Sequence, residues 1–161
     1  MFNKQSAFGR QFFTEAEIGE SKSLIPQHIS IEGGVIKGVK GLLIDGNLKN
    51  CHISTADQSP IFVSAMAQLE GCVIEGHELL IDGKFQGTLA IKGKEGEDVG
   101  GRLEYGSGAQ VMGVAYISDN IMQAKGIKVV IDLAQRPFEK YVTTTPLNAP
   151  AQQIADSSIA G

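Results

Sequence analysis

The chain has no tryptophan, two cysteines and five prolines among its 161 residues. Two cysteines do not make the disulfide framework of a small secreted scaffold. No run of about 18 apolar residues occurs, which excludes a membrane-spanning helix. Met1 to Phe13 also lacks the apolar stretch of about 7–15 residues that a secretory signal needs, so a cytoplasmic location is expected. Positive charge is not in excess: 14 Lys and Arg stand against 18 Asp and Glu, a net charge of −4. That balance disfavours phosphate-backbone binding, and nucleic acid is not an expected partner. Aromatic residues are 6% of the chain, but apolar residues reach 42%, too many for global disorder.

Glycine is abundant, with 20 residues, and it is not spread evenly. Residues 1–27 hold four of the seven phenylalanines and read as a flexible N-terminal tail. Residues 28–133 hold 17 of the glycines and one proline, Pro60, and read as the folded core. Residues 134–161 hold three prolines, a Thr143-Thr144-Thr145 run and no periodicity, which predicts a disordered tail.

The core repeats itself. Leu42-Leu43-Ile44-Asp45-Gly46 recurs 37 residues later as Leu79-Leu80-Ile81-Asp82-Gly83. A finer beat runs in steps of six from Ala67 through Val73, Leu79, Phe85 and Ile91 to Leu133, and eleven of its twelve positions are apolar. A helix would place apolar residues at three- and four-residue spacing instead. Short alternating or apolar runs that stop at glycine are strand grammar. The strands are too closely spaced for helical crossovers, which need a dozen or more residues. Three short sides per coil of about 18 residues satisfy the pattern, giving an all-β, three-sided parallel β-helix of about six coils. Glycines four residues past the beat, at Gly71, Gly83, Gly101 and Gly113, are expected at corners with positive φ. A second, looser repeat, Ala67–Gly71 against Ala109–Gly113, is 42 residues long, and at 18 per coil it falls on neighbouring sides.

Ile29-Ser30-Ile31-Glu32-Gly33-Gly34-Val35-Ile36-Lys37-Gly38, then Leu42 to Lys49, resembles the opening of a bactofilin domain. Leu79-Leu80-Ile81-Asp82-Gly83-Lys84-Phe85-Gln86-Gly87-Thr88-Leu89 resembles its core repeat. The resemblance covers residues 28–133 and departs from the family at Asn50, where glycine is expected, and at 54–60 and 93–101, which read as insertions. It implies a right-handed β-helix and a bacterial cytoskeletal scaffold that polymerises without nucleotide. It also implies attachment to the inner face of the cell membrane, non-polar filaments, and roles in cell shape, polarity or the placement of cell-wall enzymes.

No catalytic residue, metal ligand or cofactor is expected. His28, His52 and His77 are 24 and 25 residues apart, which does not stack them on one side of an 18-residue coil. Cys51 and Cys72 lie outside any C-x-x-C motif and read as buried packing residues. Asp45 and Asp82 precede glycine at equivalent repeat positions, where turn formation is the simpler explanation than acid–base work. The glycine-rich stretch 93–101 lacks the Lys-[Ser/Thr] ending of a phosphate loop and carries three acidic residues, so it reads as a solvated loop.

Two kinds of contact surface are expected. At 100° per residue, Met1, Phe2, Phe8, Phe12 and Phe13 share one side of a helix, with Lys4 and Arg10 outside it, a pattern suited to an anionic lipid interface. The bland alternative is a tail that packs its phenylalanines on the rod. The β-helix ends carry no recognisable cap, so Ile29 and Ile31 at one end and Val129, Val130, Ile131 and Leu133 at the other are expected to pair end to end with further copies. Competing readings are a hexapeptide-repeat acyltransferase, disfavoured because Gln68, Ile74 and Leu80 stand where small residues belong, and a trimeric phage or adhesin β-helix.

Overall fold

The computed structural model describes residues 12–94, 100–124 and 133–137. Among these residues fourteen short strands wind as a parallel β-solenoid of about five turns, so the all-β, parallel β-helix expectation holds, with about five coils rather than about six. Each complete turn has three sides. The first side is built by β1 (Ser23–Ile25), β4 (Leu42–Ile44), β7 (Ile61–Val63), β9 (Glu78–Ile81), β11 (Gly101–Tyr105) and β13 (Ile121–Ala124). The second and third sides begin as separate strands, β2 (Ser30–Glu32) with β5 (Asn47–Lys49), and β3 (Val35–Gly38) with β6 (His52–Thr55). Higher up they merge into bent strands, β8 (Gln68–Gly76), β10 (Lys84–Ile91) and β12 (Gln110–Ile117), and β14 (Leu133–Pro137) follows on the third side.

Alternation along each strand explains the core. Leu42, Ile61, Leu79 and Leu103 stack inward from the first side, and Leu48, Leu69, Phe85 and Val111 from the second, all 2% exposed or less. Full burial of each large aliphatic or aromatic side chain contributes about 1.5–3 kcal/mol. The 37-residue repeat spans two coils: Leu42 pairs with Ile61 and Ile61 with Leu79, steps of 19 and 18. The 42-residue repeat also spans two coils on one side, because Gln68 pairs with Lys84 and Lys84 with Gln110. The expectation of neighbouring sides fails because the connection from β10 to β11 lengthens that coil: Glu78 pairs with Arg102, a step of 24. Longer coils also explain the smaller coil number.

The solenoid starts before residue 28 and ends after 133. β1 pairs with β4, and Ile25 fills the inner row below Ile44. Pro26 and a positive φ of 76° at His28 turn the chain into the second side. Residues 14–22 are ordered too and include a five-residue helix, α1 (Glu15–Gly19). Of the C-terminal tail, Ala134–Pro137 pair with β12.

The corner glycines fall into two kinds. Gly71 and Gly113 have positive φ, 66° and 136°, as expected. Gly83 and Gly101 do not; a Cβ there would strike carbonyl oxygens of the preceding coil, Ser64 and His77, so close approach is their reason. Asn50 takes φ 57°, doing with a tolerated left-handed asparagine what Gly71 does one coil on.

Candidate functional site: the open first coil and the N-terminal strap

β1, β2 and β3 each bond one neighbour, β4, β5 and β6, so the far edge of the first coil has no strand partner among the described residues. Four of the seven exposed large apolar residues given by the described part lie on this coil: Leu24, Ile29, Val35 and Val39. Val35 is 69% exposed. Ile31 and Ile36 are half-buried and pack on the core from below it. Of the residues expected to pair end to end, Ile29 and Ile31 therefore do lie on an open edge. Val129, Val130 and Ile131 lie outside the described residues, and Leu133 opens β14, where its backbone pairs with Gly113.

The N-terminal segment lies along the outside of the first side. The outward row of that side is Leu24, Leu43, Phe62, Leu80 and Glu104, one residue per coil. Phe12 sits at the fifth coil, where the Phe12 and Phe13 amides donate to Glu104 Oε1 at 3.1 and 3.3 Å. Arg102 Nη1 donates to the Phe12 carbonyl at 2.7 Å. The Phe13 ring meets Phe62 edge-on at 5.3 Å and lies 4.1 Å below the Arg102 guanidinium carbon. Ile18 and Leu43 complete this cluster. The segment then reaches the first coils, where the Lys22 amide donates to Lys40 O at 2.9 Å. Gly41, with φ 90°, leaves room for Ser21 there.

A five-residue helix has no stability of its own. Helix α1 persists through a capping box and one tertiary bond. Glu17 Oε1 accepts the Thr14 amide at 3.0 Å, Thr14 Oγ1 accepts the Glu17 amide at 3.1 Å, and Glu17 Oε2 takes Arg102 Nη2 at 2.9 Å. Arg102 Nη2 also bonds Glu78 across the sheet at 2.7 Å, and Lys94 bonds Glu78 at 2.7 Å. Burial opposes the charge on Arg102, but the hydrogen bonds it donates to Glu17 and Glu78 outweigh it and raise its pKa. Burial likewise opposes the Glu17 carboxylate, and Arg102 with the Thr14 amide holds its pKa below the usual value.

This placement corrects the expected lipid-binding set at one position. Phe13 is 2% exposed and belongs to the rod, because Phe62 and Leu80 offer it an apolar seat and Arg102 and Glu104 clamp its backbone. Phe12 is half-buried beside it. Met1, Phe2, Lys4, Phe8 and Arg10 lie outside the described residues. Arg102 and Glu104 were missed as site residues. Their signal was readable: Glu104 is in register with Leu80, so an acid replaces the outward leucine of the repeat.

The remaining candidates are dispersed. His52 Nε2 bonds Glu75 at 2.7 Å, His77 Nδ1 bonds Lys92 O at 2.8 Å, and His28 is exposed. No cluster of three or more His, Cys, Asp or Glu that could hold a metal ion occurs among the described residues. Cys51 and Cys72 are free and buried one coil apart, and burial pushes the Cys72 thiol up to about 11. Asp82 accepts the Gly108 amide at 3.0 Å, which ties its corner to the coil above. An open groove of about 720 Å³ runs along the outer face of the second side, over Asn47, Gln68, Lys84 and Gln110.

Comparison of the chain with protein-family models, curated proteins and solved structures gives no match.

Proposed function

We propose that this chain is a non-enzymatic scaffold that assembles end to end, without nucleotide, into filaments on the inner face of a bacterial membrane. In this reading it holds cell-shape, polarity or cell-wall proteins in place. The observation that carries the reading is the open first coil: three strand edges without a partner among the described residues, bordered by exposed Leu24, Ile29, Val35 and Val39. An unpaired edge with apolar side chains is a template for another chain. The resemblance of the Leu42–Gly46 and Leu79–Gly83 repeats to bactofilins supports the same reading. Lipid contact falls to Met1, Phe2, Lys4, Phe8 and Arg10, upstream of the strapped residues. Many copies on one filament would multiply a weak single anchor.

The test is negative-stain microscopy of the purified chain without nucleotide. Filaments are expected, and Val35→Asp is expected to shorten or abolish them while the rod stays folded, since this side chain lies outside the core. Unchanged filaments in that variant would remove the first coil as the joint. Co-sedimentation with anionic vesicles checks the lipid part. A deletion of residues 1–11 is expected to stay in the supernatant, and equal binding would refute the anchor.

A further inference from the structure

Outward positions on this solenoid are exposed unless something lies over them. On the second side the outward Gln68, Glu70, Lys84, Gln86, Gln110 and Met112 are all exposed, Met112 at 48%. On the first side the outward Phe62 and Leu80 are 1% and 2% exposed, because the strap, residues 12–22, covers them with Phe12, Phe13 and Ile18. The third side behaves like the first. Val73, Ala90 and Tyr116 face outward there, in the same coils as the exposed residues of the second side, yet they are 4%, 1% and 9% exposed. Val35, in the same outward row as Val73 and two coils lower, is 69% exposed. With the half-buried Val114 the three form an apolar cluster of their own, to which no other described residue adds an apolar side chain.

We infer that residues 138–161, the segment after β14, seat on the outer face of the third side over Val73, Ala90, Val114 and Tyr116, as a C-terminal counterpart of the strap. The exit point favours this segment. Tyr116 pairs with Arg136 and Ile117 with Pro137, so the chain leaves β14 one coil above Tyr116 and on the same face. Pro137 has no amide hydrogen with which to extend the ladder. The reach is short: Tyr116, Ala90 and Glu75 lie one, two and three coils down. Three coils are about 14 Å, the span of about five extended residues. Phe138, Tyr141 and Val142 fall within those five. The other segments suit the face less well. Residues 95–99 carry three acids and one valine, residues 125–132 are taken up joining β13 to β14, and residues 1–11 lead into Phe12 on the first side. Two of the three sides are then covered by the chain itself, and the second is left bare.

The test uses full-length chains and does not depend on end-to-end assembly. Ala90→Cys reports on the covered face and Met112→Cys, on the second side, is the reference; the native Cys51 and Cys72 are buried. Under native maleimide labelling Ala90→Cys should react at least about tenfold more slowly than Met112→Cys. Adding Phe138→Ser, Tyr141→Ser and Val142→Ser should bring the two rates within about twofold, with the far-UV β-sheet spectrum retained. Slow labelling that persists in that variant overturns the inference, and so does fast labelling of Ala90→Cys in the otherwise unaltered chain. Benzoylphenylalanine in place of Tyr141 gives a second reading by photo-crosslinking. In a mixture of isotope-labelled and unlabelled chains, its crosslinks should stay within one chain and fall on peptides that contain Val73, Ala90 or Tyr116. Crosslinks to the second side or between chains overturn the inference as well.

Discussion

Replacing Phe13 by alanine tests whether the strap is a local unit or part of the core. Burial of the ring contributes about 1.5–3 kcal/mol. The edge-on contact with Phe62 adds about 0.5–1.5 kcal/mol and the Arg102 contact about 0.5–2 kcal/mol. A loss of about 3–5 kcal/mol follows, in line with phenylalanine truncations elsewhere. The strap orders eleven residues, each costing about 1–2 kcal/mol of backbone entropy, so its net docking energy is small and a loss of this size undocks it. The loss of global stability is then capped at that small net energy, since the solenoid interior keeps every contact. Hydrogen exchange reads the difference directly. The Phe12 amide, which donates to Glu104, should exchange about a hundredfold faster or more, while the Ile74 amide, inside the solenoid, keeps most of its protection. The melting temperature should fall by only a few degrees. Unchanged protection at Phe12 would refute the energetic reasoning. Equal loss of protection at Ile74 would refute the separation of strap and core.

Three further outcomes follow from the interior. The Cys72 thiol is pushed by burial from 9.0 up to about 11, so the unfolded chain loses this proton first. Its share of stability is intact below about pH 9 and is lost as pH rises through about 11, at most about 2.7 kcal/mol; the buried Cys51 and Tyr105 are raised as well, so denaturant melts of Cys72→Ala should show a smaller alkaline decline than the unaltered chain, and an equal one would refute the assignment. The Tyr105 hydroxyl is buried with no hydrogen-bond partner among the described residues, so Tyr105→Phe should stabilise the chain by about 1 kcal/mol, a gain of about 2–4 °C by calorimetry. Gly87 has φ 152°, and a Cβ there would strike the Cys72 backbone, so Gly87→Ala should destabilise by about 2–4 kcal/mol in urea unfolding. A neutral result would mean that the bent strands have slack at the corner.

Much of the solenoid was legible because its side chains repeat. The paired Leu-Leu-Ile-Asp-Gly segments stand two coils apart on one side, with Ile61 between them. The beat of six finds the inward rows at Leu79, Phe85, Ile91 and Leu103. It fails at Val73. There β8 carries one extra residue, Gly71, against β10, which turns Val73 outward into a separate cluster with Ala90 and Tyr116. Periodicity cannot register a bulge that adds a residue on one strand and none on its neighbour. Nor could it find β1, because Ser23–Ile25 is three residues long and sits before a proline.

The strap shows the limit more sharply. Read alone, Phe12 and Phe13 belong to an amphipathic segment with Phe2 and Phe8, and an apolar seat for them is available either in lipid or on protein. The choice depends on residues about 90 positions away, Arg102 and Glu104, whose place opposite the strap is set only once five coils are stacked. By itself, then, the sequence determined the parallel solenoid, its three-sided coil and the inward rows, because those follow from local alternation and glycine placement repeated many times. The tertiary structure alone decided which edge is open, which outward row is covered and where Phe13 goes. Those depend on contacts between residues far apart in the chain, for which a repeat carries no record.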